Sequence, residues 1–215
     1  VPLKAEQIMS ALKAVRSAIS EDVKIHILGF AKADDVHNFV GKGLDSVDTT
    51  SPLLRAFKDA RANYYEWNGS SFNYYAAIRV PQVLTSPPLK RSVQSGRLEL
   101  EKAVALERSA LAALRCYDKG EIKLNEAIKE VREYWTLIHS ELAKVNPSKA
   151  NKEIEILTQR ITPTLKNKPW ERCDCSICQS VGIEVAIFRG NNRNRRRGVH
   201  NLHVYGRRVR QLKDN

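Results

Sequence analysis

Three of the four cysteines stand in the run Cys173-Asp174-Cys175-Ser176-Ile177-Cys178, and beyond a basic stretch the chain reads His200-Asn201-Leu202-His203. Thiolates at this spacing, followed by imidazole, form a donor set for zinc. Three cysteines and one histidine close a four-coordinate site that leaves no position open for chemistry, so the metal is expected to be structural. Asp174 and Ser176 between the cysteines argue against a run that merely fills a core. His200 and His203 fall on one face if Val199 to Arg210 is helical. Only one of them can then easily complete the tetrahedron, and His200 is preferred.

The chain has 215 residues, with 36 Lys and Arg against 24 Asp and Glu, a formal net charge of +12. This length allows one or two domains with real cores. The positive excess calls for a polyanionic partner, because each cation that neutralises a phosphate releases condensed counterions. No apolar run is long enough to span a bilayer, and no basic amphipathic helix carries an aromatic apolar face, which leaves nucleic acid ahead of membrane. No signal peptide is visible, and three clustered thiols with Cys116 left over fit a reducing compartment, so a cytoplasmic protein is expected. The chain begins at Val1-Pro2 and reads as the later part of an architecture.

Ile8, Leu12, Val15 and Ile19 recur at helical spacing and make Ala5 to Ile19 an amphipathic helix. Val23 to Phe30 reads as a buried strand. Ala33 to Lys42 reads as a second helix with Val36, Phe39 and Val40 inward and Gly43 after its end, and Leu44 to Asp48 as a second strand. This alternation is the grammar of a parallel α/β sheet or a (β/α)8 barrel, which two units cannot close. Thr49 to Pro81 is polar and aromatic around Asn68-Gly69 and reads as a loop or hairpin, with a possible strand from Tyr74 to Val80. Its aromatics either stack on bases or pack the loop down.

After Pro87-Pro88 the chain turns helical: Leu98 to Tyr117, then Ile122 to Val145 with a stripe of Leu124, Ile128, Val131, Trp135, Ile138 and Leu142, then Pro147 to about Ile161. Three parts are expected: residues 1–88 as two strand–helix units and a loop, 89–165 as a helical insertion, and 166–215 as a zinc-binding, arginine-rich subdomain. Between Cys178 and His200, a loop closed by the metal would present Arg189, Arg193, Arg195, Arg196 and Arg197 to phosphates. On pattern alone Asp48 is a turn or helix N-cap residue after a strand.

Cys-x-Cys-x-x-Cys followed by His-Asn-Leu resembles the zinc signature of the tRNA-guanine transglycosylases, zinc-carrying (β/α)8 enzymes. His26-Ile27-Leu28-Gly29-Phe30 is similar to that family's seventh barrel strand, and Gly43-Leu44-Asp45-Ser46-Val47-Asp48 to its eighth. The resemblance covers about residues 5–60 and 169–210, with the intervening helices as an insertion that the ordinary tRNA enzymes lack. Twenty-one residues separate Cys178 from His200, a few fewer than is common in the family. Asp48-Thr49-Thr50-Ser51-Pro52-Leu53, Ala56-Phe57-Lys58-Asp59 and Ala77-Ile78-Arg79-Val80-Pro81 are more similar to the branch that inserts 7-deazaguanine bases into DNA.

The resemblance implies the C-terminal part of a TIM-type barrel with a helical insertion and a zinc-binding subdomain. It makes Asp48 the nucleophile of a base exchange, with Leu28 and Gly29 at the base pocket. It leaves the second catalytic aspartate on earlier strands, carried by another chain or by a segment outside this sequence. Asp45, three residues from Asp48, points to the opposite face of a strand and is a poor partner for it. Arg55 joins the loop arginines as a candidate nucleic-acid contact. The implied substrates are DNA, or alternatively tRNA, and a 7-deazaguanine such as preQ0. Two competing readings are a non-catalytic, zinc-stabilised nucleic-acid-binding subunit and a free-standing zinc domain that binds RNA.

Overall fold

The computed structural model describes residues 4–30, 33–39 and 41–213. Val1, Pro2 and Val40 lie outside them, as does the side chain of Leu142. Helix α1 (Ala5–Ala18) begins where the Gln7 side chain accepts the Lys4 N–H at 2.8 Å, and it buries Leu12. Ile8 packs beside Leu12, whereas Val15 is exposed. Strand β1 (His26–Ile27) pairs in parallel with β2 (Ser46–Val47), His26 opposite Ser46 and Ile27 opposite Val47. Both are shorter than the expected strands. Among the described residues each has a neighbour on one side only, so the ladder has little to extend along.

The crossover between them is a 3₁₀ turn, Ala33–Asn38, in place of the expected helix to Lys42, and it buries Val36 and Phe39. Arg16 of α1 ties both connections down. Its guanidinium donates to the Val23 carbonyl at 2.8 Å and the Gly43 carbonyl at 3.0 Å, and pairs with Asp45 at 3.3 Å.

Residues 49–81 are more ordered than a loop. Helix α2 (Ser51–Lys58) starts with Pro52 in its first turn, where a missing N–H costs nothing. Strands β3 (Tyr64–Trp67) and β4 (Phe72–Tyr75) form the antiparallel hairpin around Asn68-Gly69, where Asn68 Oδ1 accepts the Ser70 and Ser71 N–H groups. The expected strand from Tyr74 to Val80 is broken. After Tyr75 the chain leaves the hairpin, and β5 (Ile78–Arg79) pairs in parallel with β6 (Ile187–Phe188).

Helices α3 (Pro87–Gln94), α4 (Leu100–Asp118), α5 (Leu124–Ile138), α6 (Ser140–Val145) and α7 (Pro147–Asn167) follow. The expected Ile122–Val145 helix is interrupted at His139. The third helix, by contrast, runs on past Pro163, because Thr164 donates to the Ala76 carbonyl at 2.7 Å and Leu165 is fully buried. Trp135 and Tyr134 of α5 donate to the carbonyls of Arg79 and Pro81, at 2.6 and 2.5 Å, which fastens the helices to β5. One apolar cluster contains Tyr64 and Ile78, Leu114, Trp135 and Leu165 of the helices, and Cys178 and Ile187. A smaller one joins Leu12, Phe30, Val36 and Phe39 to Tyr205.

The segment expected as a basic loop is helical. After α8 (Ser176–Val181), a 3₁₀ turn (Gly182–Val185) and β6, helix α9 (Gly190–Lys213) carries every arginine from Arg193 to Arg210. Its composition hides this because its buried face is largely polar: Asn194, Arg197, His200 and Asn201. Asn201 donates to the carbonyls of Pro52 and Asn63, both at 2.9 Å, and accepts the Tyr65 N–H at 3.0 Å. Gly198 lets α2 come close, since a Cβ there would meet Leu53 Cδ1 at 2.5 Å. No helix among the described residues is long and apolar enough to cross a membrane. The described residues thus form a mixed α and β fold with three small two-stranded sheets.

Candidate metal centre and nucleophile loop

Cys175 caps α8, its sulfur accepting the Cys178 N–H at 3.3 Å, which turns both sulfurs and that of Cys173 toward His200 on α9. His200 Nδ1 lies 3.4, 3.4 and 3.3 Å from the sulfurs of Cys173, Cys175 and Cys178, and the four ligand atoms all lie within 4.8 Å of one another. A tetrahedron with Zn–S near 2.3 Å and Zn–N near 2.0 Å places S and N about 3.5 Å apart, so the spacing fits.

The surroundings prepare the ligands. His200 Nε2 sits 2.8 Å from the Tyr65 carbonyl, which fixes the proton there and leaves Nδ1 its lone pair. The Tyr64 ring stacks on the imidazole at 3.9 Å, and its hydroxyl lies 3.2 Å from Cys178 Sγ. Burial first, and then the nearby cysteines, push the Tyr64 hydroxyl far above its usual range, so it stays a donor to sulfur. Hydrogen bonding from Cys173 and Cys178 holds the Cys175 thiol well below its ordinary range, while contact with Cys173 and Cys175 pushes Cys178 well above. Three sulfurs this close can all ionise only with a cation between them. Cys175, Cys178 and His200 are buried, so the cluster forms a possible metal-binding site compatible with structural zinc. His203 stands apart from it, 3.4 Å from Asp174, whose two oxygens each accept from Arg207 at 2.6 Å.

Asp48 lies directly after β2, on the turn that faces the end of β1. Its carbonyl accepts the Phe30 N–H at 2.8 Å, and its Oδ1 accepts the Gly29 N–H at 3.0 Å. Gly29 holds φ at +63°, a backbone state that a side chain resists. Leu28 is 81% exposed beside it, so the two expected base-pocket residues and the carboxylate share one open edge. Asp45 is committed elsewhere, accepting the Ile25 N–H at 2.7 Å. His26, which sequence reasoning left aside, lies 3.3 Å from Asp48 Oδ1 through Nε2. Only its register with Ser46, two residues before Asp48, would have revealed it.

The arginines are scattered by the structure. Arg197 is fully buried and donates to the carbonyls of Val185, Ile187 and Ala56, at 3.1, 3.2 and 2.6 Å, and to Asn194 Oδ1 at 2.6 Å. The expectation that it meets phosphate is corrected: its guanidinium faces inward because those carbonyls need donors. Burial and the Arg79 guanidinium push it down to about 9, which still leaves it charged at neutral pH. Arg189 also turns inward, to the buried carboxylate of Glu107, and Arg193 pairs with Glu184. Arg55 lies over the rings of Tyr65 and Tyr74, at 5.6 and 5.4 Å. Arg195 and Arg196 are exposed and, among the described residues, pair with no carboxylate.

The described residues form a mixed α and β chain with a Cys3His cluster and, apart from it, a carboxylate-bearing turn after two parallel strands. No protein-family model matches the chain. A DNA-guanine transglycosylase of Salmonella montevideo is 39% identical to it over 204 residues, covering 95% of this chain and 46% of that protein. The chain belongs to the guanine transglycosylase family and spans about half the length of this curated relative.

Proposed function

We propose that the chain is the C-terminal portion of an enzyme that replaces guanine in DNA with a 7-deazaguanine such as preQ0. In this reading β1 and β2 are the last two strands of a (β/α)8 barrel, helices α3 to α7 are an insertion, and the remainder is a zinc-stabilised, arginine-bearing subdomain. The other strands, and the acid that protonates the departing base, belong to the rest of the barrel. A cytoplasmic setting suits the clustered thiols.

The observation that carries the reading is the placement of Asp48. It is an exposed carboxylate at the C-terminal end of a parallel strand, where such barrels put catalytic groups, next to Leu28 and Gly29. Base exchange at a sugar needs two displacements. A carboxylate oxygen of Asp48 bonds to C1′ as the C1′–N9 bond breaks, and the electron pair leaves on guanine, which takes a proton from a carboxylic acid. The N9 of the incoming deazaguanine, losing its proton to that group, then attacks C1′ and returns the pair to Asp48. Two inversions retain the configuration, as in retaining glycosidases. Extrusion of the target guanine brings C1′ within reach. Zinc held by Cys173, Cys175, Cys178 and His200 fixes α8 against α9.

The test is nucleoside mass analysis of DNA and tRNA incubated with preQ0 and the complete enzyme containing this chain. A deazaguanine deoxynucleoside is expected from DNA, and Asp48→Asn should lower its formation by about a thousandfold or more. Modified tRNA alone would overturn the choice of substrate, and exchange undiminished in Asp48→Asn would overturn the nucleophile.

A further inference from the structure

The tightest constraint on Asp48 comes from its neighbouring strand. Successive side chains on a strand alternate faces, so Ser46 and Asp48 share one face of β2 while Asp45 and Val47 take the other. The contacts follow this rule: Asp45 meets Arg16, and Val47 packs in the smaller apolar cluster. The parallel register sets His26 beside Ser46, and the imidazole bridges the two residues. Its Nδ1 lies 2.8 Å from Ser46 Oγ and its Nε2 lies 3.3 Å from Asp48 Oδ1. The consistent proton arrangement has Ser46 donating to Nδ1 and Nε2–H donating to the carboxylate. The Gly29 N–H donates to the same Oδ1 at 3.0 Å.

Two donors thus converge on one oxygen. Among the described residues no hydrogen bond or ion pair reaches Oδ2, and the Asp48 side chain is 56% exposed. We propose that His26, seated by Ser46, is a positioning residue for the base exchange: with Gly29 it anchors Oδ1 and aims Oδ2 at the anomeric carbon. This rests on Asp48 being the nucleophile proposed above. Oδ2 forms the bond to C1′ as C1′–N9 breaks, and guanine leaves with the electron pair and a proton from the carboxylic acid of the remaining barrel. Oδ1 becomes the ester carbonyl and keeps both donors. When the incoming base attacks C1′, the C1′–Oδ2 bond breaks and its electron pair returns to a carboxylate already held in place. Anchoring one oxygen removes the rotation that would otherwise swap the two, and a misplacement of about 1 Å at a reacting atom costs on the order of a hundredfold.

The experiment measures exchange of labelled guanine into DNA by the complete enzyme containing this chain, with His26→Ala, His26→Gln, Ser46→Ala and Asp48→Asn compared. His26→Ala is expected to lower kcat by about ten- to a hundredfold with KM for DNA within about twofold. His26→Gln, whose amide nitrogen reaches the place of Nε2, should restore most of that loss, and Ser46→Ala should cost about three- to tenfold. An unchanged kcat in His26→Ala, or a Gln variant as slow as the Ala variant while both unfold at the wild-type temperature, overturns the positioning role. Asp48→Asn separates the two ideas. If it is inactive while His26→Ala runs at full rate, only the positioning role fails; if it still exchanges guanine, the nucleophile itself is wrong.

Discussion

Arg197 shows what one residue does when its neighbours are fixed from far away in the chain. Its guanidinium satisfies the carbonyls of Val185 at the end of the 3₁₀ turn, Ile187 in β6 and Ala56 on α2, so one side chain joins α9 to three segments. Replacing it with methionine keeps much of the volume but strands those acceptors in a buried place. Each buried acceptor left without a donor costs about 1–3 kcal/mol. Arg197→Met is therefore expected to destabilise the chain by about 2–5 kcal/mol, read as a lower urea midpoint with an unchanged slope. Arg195→Ser, two residues away and exposed, should stay within about 0.5 kcal/mol of the parent in the same measurement. Nothing in the run Arg195-Arg196-Arg197 separates these outcomes until the partners are known.

Elements differ in how much of them the sequence reveals. The Cys3His cluster is legible because three of its four side chains and the α8 cap lie within one short run, so local spacing fixes most of the geometry. The hairpin is legible from Asn68-Gly69, and the antiparallel helices from the stripe along α5. Helix α9 is not, because a stripe of Asn194, Arg197 and Asn201 reads as solvent-facing, and its acceptors come from α2, β3 and β6. The role proposed for Asp48 rests on resemblance, and that proposed for His26 on register. The knuckle is also where an element depends on a single site: α8 is six residues long, too short to persist alone, and is held to α9 through Cys175, Cys178 and His200. One zinc per chain is expected by metal analysis, and Cys175→Ser should lose it. Structural zinc sites contribute on the order of 10 kcal/mol, so that variant, or the parent in a strong chelator, should lose protection of the α8 and early α9 amides in hydrogen exchange. Full zinc occupancy in the serine variant would remove Cys175 from the ligand set.

Across the whole molecule, the net charge of +12 is not spread evenly over usable cations. Arg16, Arg115, Arg132, Arg172, Arg189, Arg193 and Arg207 are each paired with a carboxylate, Arg115 and Arg193 sharing Glu184, and Arg197 is buried against carbonyls. The excess that a polyanion can feel therefore lies with groups such as Arg195 and Arg196, exposed on the first turns of α9 just before His200. Helix α9 is anchored there by the Cys3His cluster and by Asn201, so these two guanidinium groups are presented from a fixed backbone, at little entropic cost on binding. If both meet backbone phosphates, neutralising them as Arg195→Gln/Arg196→Gln should weaken DNA binding by the complete enzyme equally on all sequences. It should also reduce the slope of log K against log salt by about 1.8 for duplex DNA, from roughly 0.9 per phosphate. Arg193→Gln, which removes a cation already paired with Glu184, should leave that slope nearly unchanged. Equal slopes for the parent and the double variant would move the DNA-binding face away from this end of α9.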